Sequence, residues 1–361
     1  MLKVGFIGVG RISDMHYEGY KNNPNATLYA ICDTNKDILN KRKNEWKIKH
    51  TYENYKQLIN DPNIDAVEIM APHHLHHKIV IDALNAEKHV SVQKPMALNI
   101  SQANEMIEIA NNKEKLLRVI DNYRYHPPFS KVKSLITKGA IGEPISIRLK
   151  SLTGNAKFGW PIPSSAQTWR SNPILAGKGS IIFDHGQHIW SIARYLMGEV
   201  ESVFTFTGSQ KVDAFHEMVP GSLMDNPIMV NWKYKDKNKF GNWESIYSDK
   251  MIVNSKYYPI YVWGEITGSN GILWVNNFIG HKLNRAPLEL YSNGEMKSYD
   301  NINSDYKTGF QKAGYDFTNA IIKKRKSELT AEEGREVLRL SLAVIKSAKD
   351  NKEIYVNKIT N

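Results

Sequence analysis

The sequence predicts an α/β protein in which an N-terminal doubly wound parallel sheet is followed by a C-terminal α+β domain with a large, mostly antiparallel sheet. Short apolar strands alternate with helical stretches in the first 123 residues, and a glycine-rich turn follows the first strand. Beyond residue 144, strand-like alternation is divided by turn signals, which is typical of antiparallel sheets. We therefore predict two domains, 1–123 and 124–361.

The predicted parallel sheet rests on five apolar segments, which read KVGFIGVG (3–10), ATLYAICD (26–33), DAVEIMAP (65–72), KHVSVQKP (88–95) and KLLRVIDN (115–122). The stretch at 99–112, between the last two, has a helical period, because it places four apolar residues on one face, namely Ala103, Met106, Ile107 and Ala110. Asn99 and Gln102 give this helix a capping-box-like start.

The first turn, GVGRIS at 8–13, leaves a predicted strand and opens a predicted helix. Gly8 allows a tight turn, and Gly10 lets the backbone approach a pyrophosphate at the positive end of the helix. Ser13 stands where this fingerprint has its third glycine, and its small side chain preserves close packing. Asp33, at the end of the second strand, strengthens the prediction of a dinucleotide-binding domain.

Asp33 also bears on which dinucleotide is bound. Its carboxylate can accept hydrogen bonds from both adenosine ribose hydroxyls, whereas a 2′-phosphate would meet like charge. Lys36 and Arg11 are nearby cations that could partly neutralise such a phosphate. We therefore expect NAD as the cofactor in preference to NADP.

The histidine-rich stretch APHHLHHK at 71–78 contains two histidine pairs with a spacing of three, which suggests metal ligands. No cysteine lies nearby, and no carboxylate recurs at ligand spacing. A strand that ends at Ala71 and Pro72 and opens a helix explains the stretch without a metal. We expect no metal site.

Composition narrows the class of protein. The 361 residues carry a net charge of +11, but the lysine clusters at 40–50 and 323–326 are far apart and lack the interleaved aromatic residues of a stacking platform. We therefore expect no nucleic-acid partner. The single cysteine, Cys32, excludes an internal disulfide framework and fits a reducing compartment. No apolar run has the length of a membrane span, so we expect a cytoplasmic protein.

Two further features are candidates for chemistry. Lys94 precedes Pro95 where the fourth predicted strand stops, at the carboxyl edge of the sheet, where ligands of such sheets bind. In FDHGQHIW at 183–190, Asp184 and His188 stand four residues apart, a spacing that puts both side chains on one face of a helix. Both features also have purely structural explanations, as a solvated charge at a strand end and as a pair that holds a helix.

Nearly the whole chain resembles the Gfo/Idh/MocA family of nicotinamide-dependent oxidoreductases, which act mainly on sugars and cyclitols. The family's Asp-x-Gly-x-His is intact at 184–188, whereas its usual Glu-Lys-Pro is here Gln-Lys-Pro at 93–95 and its Pro-Asn-His is Pro-His-His at 72–74. The resemblance rests on GFIGVGRIS, Asp33, APHHLH, the Lys94-Pro95 pair, NYRYHP, KGAIGEPISI, WRSNPILAGKGSIIFDHGQH and EEGREVLRLSLAVIKSA.

The resemblance implies an NAD-dependent dehydrogenase that oxidises a hydroxyl of a sugar, sugar acid or cyclitol. In this role His188 takes the hydroxyl proton, Asp184 orients the imidazole and Lys94 stabilises developing charge on the oxygen. The expected cofactor-binding residues are Gly8, Gly10, Arg11, Ile12, Asp33, Ala71, Pro72, His73, His76, Gln93 and Lys94. The expected substrate-binding residues are Tyr123, Arg124, Trp160, Trp169, Arg170, Asp184 and His188.

The second domain shows strand-like alternation in ISIRLKSLTG, VESVFTFTGSQ, PIMVNWKY, PIYVWGEITG and PLELYSNGEMKSY, with Asn-Gly turn signals at 270–271 and 293–294. We expect helices on one face of this sheet and an exposed apolar surface on the other, which predicts a homodimer or homotetramer. The helix predicted at 331–349, near the domain junction, should bury Val337, Leu338, Ser341, Val344, Ile345 and Ala348.

Three alternatives remain open from the sequence. Gln93 and Ser13 depart from the expected patterns and fit a dinucleotide-binding regulator with a decayed site, which the intact Lys94, Asp184 and His188 oppose. Some relatives in the family hydrolyse glycosides through transient oxidation by bound NAD. Only the net charge supports a nucleic-acid-binding protein.

Overall fold

The computed structural model describes residues 1–155, 164–177, 181–211, 219–253, 255–276 and 285–360. Two compact units make up the chain. Met1–Asn122 and Gly309–Leu338 form the first, and Tyr123–Thr308 and Arg339–Thr360 form the second. The division into domains after residue 123 stays a prediction.

The N-terminal part of the first unit alternates strands and helices, in the order β1 Leu2–Ile7, α1 Ser13–Tyr17, β2 Ala26–Cys32, α2 Lys36–Trp46, β3 His50–Tyr52, α3 Tyr55–Ile59, β4 Ala66–Ile69, α4 His73–Asn85, β5 His89–Gln93, α5 Ile100–Asn112 and β6 Leu117–Ile120. These strands form one parallel sheet in the order β3-β2-β1-β4-β5-β6. The predicted doubly wound parallel sheet is confirmed. The strand order reverses between β1 and β4, so their carboxyl ends mark the switch point at which such sheets bind ligands.

Burial explains why these segments form the sheet. The core of the first unit includes Phe6 of β1, Ile31 of β2 and Ala66 of β4, which are all fully buried. The face predicted for α5 is buried as expected. Its start is capped, because Asn99 Oδ1 accepts from the Gln102 N–H at 2.9 Å and Gln102 Oε1 accepts from the Leu98 N–H at 3.1 Å.

The rest of the chain contributes α6 Asn122–Tyr125, α7 Pro127–Thr137, β7 Pro144–Asn155, α8 Ser164–Arg170, α9 Pro173–Ala176, a π-helical turn Ile181–His185, α10 Gly186–Met197, β8 Val200–Lys211, β9 Leu223–Tyr234, β10 Phe240–Ile252, β11 Ile260–Gly268, β12 Gly271–Val275, β13 Leu288–Ser292, β14 Glu295–Ser298, α11 Tyr306–Ile322, α12 Ala331–Asp350, β15 Ile354–Tyr355 and a 3₁₀ turn Val356–Lys358. Within the second unit, nine strands form a sheet in the order β14-β13-β12-β11-β7-β10-β9-β8-β15. The β7–β10 pair is parallel and the other described pairs are antiparallel, which confirms the predicted sheet type.

Helix α10 covers one face of this sheet. The Trp190 ring lies edge-on to the rings of Trp232 and Trp243, with centroids 5.5 and 5.3 Å apart. The Trp232 indole also lies over Gly241, where a Cβ would come within 2.0 Å of the ring. On the opposite face of β9 every second residue is exposed, as the alternation predicts.

Candidate active site

The turn after β1 is shaped by close backbone contacts. Gly8 has φ +85°, and a Cβ there would lie 2.9 Å from the Met70 carbonyl group, so only glycine fits. A Cβ on Gly10 would meet nothing within 4 Å, which leaves open space beside the backbone. Ser13 is fully buried, and its Oγ donates to the Gly10 carbonyl at 2.5 Å. Ser13 is therefore part of the turn's hydrogen bonding.

Asp33 directly follows β2, and the structure ties it to the glycine turn. The Val9 N–H donates to Asp33 Oδ2 and the Asn35 N–H donates to Oδ1, each at 2.9 Å. Each carboxylate oxygen retains a further lone pair as an acceptor. The carboxylate is thus held at the carboxyl end of β2, where the dinucleotide fingerprint requires it.

Arg42 on α2 supports the same turn, and sequence reasoning did not identify it. Its buried guanidinium donates to the Val9 carbonyl at 3.3 Å and to Asp14 Oδ2 at 2.7 Å. Burial raises the pKa of Asp14 above its ordinary value, although the charge of Arg42 acts in the opposite direction. Because the contact joins α2 to a turn about 30 residues earlier, no local pattern signals it. Arg11 and Ile12 lie in the turn between Gly10 and α1.

The loop after β4 is held by His76, which is fully buried on α4. Its Nε2 lies 2.8 Å from the Ala71 carbonyl oxygen, and its Nδ1 lies 2.8 Å from that of Pro95. Burial lowers the pKa of His76 to about 4, and the nearby His74 and Lys94 act in the same direction, outweighing the two carbonyl contacts. The ring is therefore neutral near pH 7, so it donates to one of the two carbonyl oxygens and packs against the other, between the loops after β4 and β5. Pro72 precedes α4, and His73, its first residue, is buried.

Strand β5 ends at Gln93 and Lys94 follows it directly, as the sequence predicts for the candidate lysine. Gln93 Oε1 accepts from the Lys94 main-chain N–H at 2.8 Å, and its Nε2 lies 2.8 Å from His16 Nε2. The amide therefore joins the strand end to the first helix of the unit. Gln93 and Lys94 are both half-buried, so neither is enclosed in the core.

In the second unit, Asp184 lies in the π-helical turn Ile181–His185, and α10 begins only at Gly186. The prediction that Asp184 and His188 share one α-helix is therefore wrong. Two main-chain N–H groups of the turn, those of residues 181 and 182, donate to the Asp225 carboxylate at 2.8 and 2.7 Å. The Asp184 carboxylate lies 3.5 Å from Arg170 Nε. Such π-helical segments are frequent at functional sites.

His188 stacks on Tyr123, with ring centroids 4.1 Å apart and an interplanar angle of 9°. Both side chains are buried, with 8% and 2% of their surface exposed. His185, which sequence reasoning did not single out, lies edge-on to His188, and its Nε2 is 3.0 Å from Ser151 Oγ. The structure thus brings together two of the predicted substrate residues and adds a second histidine.

The remaining predicted substrate residues differ in their surroundings. The Arg170 guanidinium lies over the Trp169 ring at 4.3 Å, so these two side chains and Asp184 form one group. Arg124 is buried, donates to the Ser191 carbonyl at 3.3 Å and lies over the Tyr195 ring. Trp160 lies outside the described residues.

Two searches of the described residues concern other kinds of site. In those residues, no group of three or more histidine, cysteine, aspartate or glutamate side chains is arranged to hold a metal ion. Among the same residues, no helix combines the length and apolar character needed to cross a membrane.

Comparison with known proteins identifies the family. A family profile described as "Oxidoreductase family, NAD-binding Rossmann fold" matches residues 2–120, and the "GFO/IDH/MocA C-terminal domain" profile matches residues 129–273. The chain belongs to the Gfo/Idh/MocA family. The resemblance inferred from the motifs is confirmed, and the glycine turn and Asp33 lie within the part of the chain matched by the NAD-binding profile.

Several members of the family are similar to this chain. Myo-inositol 2-dehydrogenase from Thermotoga maritima is 35% identical over 230 residues, which are 63% of this chain and 64% of that protein. Levoglucosan dehydrogenase from Pseudarthrobacter phenanthrenivorans is 30% identical over 76% of this chain and 73% of its own length. A solved levoglucosan dehydrogenase in complex with NADH and levoglucosan has the same fold, with a TM-score of 0.83 and 22% identity over 99% of this chain and 100% of that chain.

Proposed function

We propose that this protein is an NAD-dependent dehydrogenase that oxidises a secondary hydroxyl or an anomeric carbon of a sugar, sugar acid or cyclitol. The observation that carries the proposal is that a chain of this family retains Lys94, Asp184 and His188. The relatives described above are dehydrogenases of a cyclitol and of an anhydrosugar, which supports the substrate class. The comparisons give no support to the NAD-using glycosidase or to the decayed regulator.

The first unit fits the cofactor. Gly10 leaves open space beside the backbone, and Asp33 is held with a lone pair on each oxygen available for the ribose hydroxyls. His76 joins the two loops at the carboxyl ends of β4 and β5, next to the switch point. We assign these residues, with Gln93, to NAD. When bound, NAD supplies the hydride acceptor for the reaction.

The protein's own part in the reaction is to move a proton and to stabilise charge. A His188 ring nitrogen takes the proton of the substrate hydroxyl, and the stack on Tyr123 fixes the plane of the imidazole. Asp184 carries a negative charge that stabilises the imidazolium form. The Lys94 ammonium donates to the hydroxyl oxygen and stabilises the charge that develops there.

Replacing Asp33 with alanine should narrow the preference for NAD over NADP, mainly by weakening NAD. Loss of charge-assisted hydrogen bonds to the ribose should cost roughly 10- to 100-fold in affinity for NAD. Titration of each variant with both cofactors measures the effect. Asp37→Ala removes the same charge from an exposed position four residues later and should change neither affinity. Tighter binding of NADP than of NAD by the unmodified protein would refute the assignment.

We also propose that the exposed face of the nine-stranded sheet pairs with a second copy of the chain, giving a homodimer or a dimer of dimers. Phe206, Met229 and Phe240 are 55%, 44% and 50% exposed, and Phe206 and Met229 are cross-strand partners on β8 and β9. Such an apolar surface is typical of an interface. Light scattering at micromolar concentration should show the oligomer. Met229→Asp should dissociate the oligomer. Ile322→Asp, a control at an exposed apolar site on α11, should leave the oligomer intact. A monomeric unmodified protein would contradict the proposal.

We propose a cytoplasmic location, because the chain contains a single cysteine. Cys32 is buried at the end of β2, and burial together with the neighbouring Asp33 raises the pKa of its thiol to about 12. One cysteine cannot form an internal disulfide, which fits a reducing compartment.

A further inference from the structure

A buried ion pair joins β4 and β6 in the sheet of the first unit. Glu68 of β4, Ser91 of β5 and Arg118 of β6 are register partners across three neighbouring strands. Arg118 Nε donates to Ser91 Oγ at 3.0 Å, and its NH2 group donates to Glu68 Oε1 at 3.2 Å. The Arg118 and Glu68 side chains are 0% and 2% exposed. A carboxylate so deeply buried requires a full set of partners.

Two other partners of Glu68 come from α1 and from the turn that follows it. The Tyr20 hydroxyl donates to Oε1 at 2.8 Å, and His16 Nδ1 lies 2.8 Å from Oε2. Burial acts to raise the pKa of Glu68, but His16, Arg118 and Tyr20 outweigh it, and the pKa is lowered. The charge of Arg118 and the hydrogen bonds from His16 and Tyr20 stabilise the carboxylate even when the imidazole is neutral. Glu68 is therefore ionised and can only accept hydrogen bonds. It follows that the His16 proton is on Nδ1.

The opposite nitrogen of His16 is fixed by Gln93. Because the Lys94 N–H donates to Gln93 Oε1, the amide must present its Nε2 to His16, and the two nitrogens are 2.8 Å apart. An amide nitrogen can only donate, so His16 Nε2 accepts and carries no proton. The imidazole is therefore neutral. It donates from Nδ1 to the Glu68 carboxylate, and its Nε2 accepts from the Gln93 amide. Phe310 of α11 also packs against the ring, with centroids 5.1 Å apart, and brings no charge.

We propose that this relay takes the place of the carboxylate that the family usually has at position 93. The carboxylate stands one strand away, as Glu68, and acts through His16 to hold the Gln93 amide in a single orientation. In that orientation Oε1 holds the main chain of Lys94 at the half-buried end of β5. Glu68 and His16 are thus positioning residues for Gln93 and Lys94. The proposal rests on the proposed function only in taking the end of β5, with Gln93 and Lys94, to contact NAD.

The relay predicts different outcomes for Glu68→Gln, for Gln93→Glu and for the double variant. In Glu68→Gln the new amide must turn its oxygen to Arg118 and its nitrogen to His16 Nδ1, so the imidazole proton moves to Nε2 and opposes the Gln93 amide. We expect NAD affinity and kcat/KM to fall roughly ten-fold or more. Adding Gln93→Glu to this variant supplies an acceptor for the Nε2 proton and should recover most of the loss. Gln93→Glu alone places carboxylates on both sides of the ring and should convert His16 to the imidazolium.

The experiment combines cofactor titration of these three variants with ¹⁵N NMR of the histidine side chains, in which His16 is assigned by comparison with His16→Gln. The unmodified protein should show a neutral His16 protonated on Nδ1, and the double variant should show the proton on Nε2. A merely structural ion pair predicts lower melting temperatures for every Glu68 variant and no rescue by Gln93→Glu. Absence of rescue, or a proton on Nε2 in the unmodified protein, would overturn the proposal.

Two controls separate this inference from the proposed function. If the unmodified protein binds no NAD, the proposed function fails, while the NMR arm still tests the relay. If Glu68→Gln does not fold, the single variant Gln93→Glu tests the relay. Residue 93 is half-buried, and this substitution leaves the Glu68–Arg118 pair intact. A His16 in that variant that remains neutral with its proton on Nδ1 would contradict the relay.

Discussion

Turnover should fall roughly 10²- to 10⁴-fold when His188 is replaced by alanine, because the substrate hydroxyl then loses its positioned proton acceptor. NAD affinity should barely change, since His188 lies outside the dinucleotide fingerprint. Steady-state kinetics and NAD titration of the purified variant measure the two effects separately. A fall in turnover without a fall in cofactor affinity is the expected signature of a group that acts on the substrate.

The stack on Tyr123 allows a matched control for this experiment. Alanine removes both the proton acceptor and the ring that lies 4.1 Å from Tyr123, whereas His188→Phe keeps a flat ring there and removes only the acceptor. If His188 is catalytic, both variants should be equally inactive, and the phenylalanine variant should melt close to the unmodified protein. If the ring only supports the fold, His188→Phe should retain near-normal turnover, and the catalytic assignment would be wrong. Asp184→Asn should also slow turnover, because an amide does not stabilise an imidazolium charge.

Lys94→Ala is expected to be as damaging as His188→Ala. Removing one preorganised donor from a developing oxyanion typically costs roughly 10²- to 10³-fold in kcat. Lys94 lies at the carboxyl end of β5, and Gln93 holds its main-chain N–H, so the side chain starts from an anchored position. Stopped-flow or steady-state measurement of NADH formation at saturating substrate gives the effect on kcat directly.

Two further lysine variants show whether position or charge is responsible. Lys94→Arg keeps the positive charge but replaces a compact ammonium with a planar guanidinium, so activity should remain well below that of the unmodified protein. Lys78→Ala removes an exposed lysine on α4 of the same unit and should leave kcat unchanged. A Lys94→Ala protein with near-normal kcat would show that this lysine is a solvated charge at a strand end.

The fold was predictable where sequence patterns are local. Five of the six parallel strands, the capped α5 and the hairpin at Asn293–Gly294 follow from apolar periodicity and turn residues, and both residues of that turn have positive φ. The short strands β3, β12 and β15 and the long strand β10 were missed. In β10 the inward positions alternate the small residues Gly241 and Ser245 with Trp243 and Tyr247. Trp232 fills the space over Gly241, so the apolar alternation is interrupted in the strand's own sequence.

The candidate site was predictable only in part, for a related reason. Asp33, Lys94 and the Asp184–His188 segment follow from motifs. The contacts of Arg42 with the glycine turn and of Glu68 with His16 join residues 33 and 52 positions apart, so no periodicity or motif reports them. The π-helical turn around Asp184 was also missed, because its main-chain N–H groups are held by Asp225, which lies more than 40 residues later.

Reduction of NAD in the presence of a sugar-like alcohol tests the central claim most directly. The unmodified protein would be mixed with NAD or NADP and a panel of aldoses, cyclitols and sugar acids, and the absorbance of the reduced nicotinamide followed over time. The account predicts that at least one member of the panel yields NADH in proportion to the carbonyl product, and that NADP supports a slower reaction. Tight binding of NAD without net reduction by any member of the panel would contradict the account.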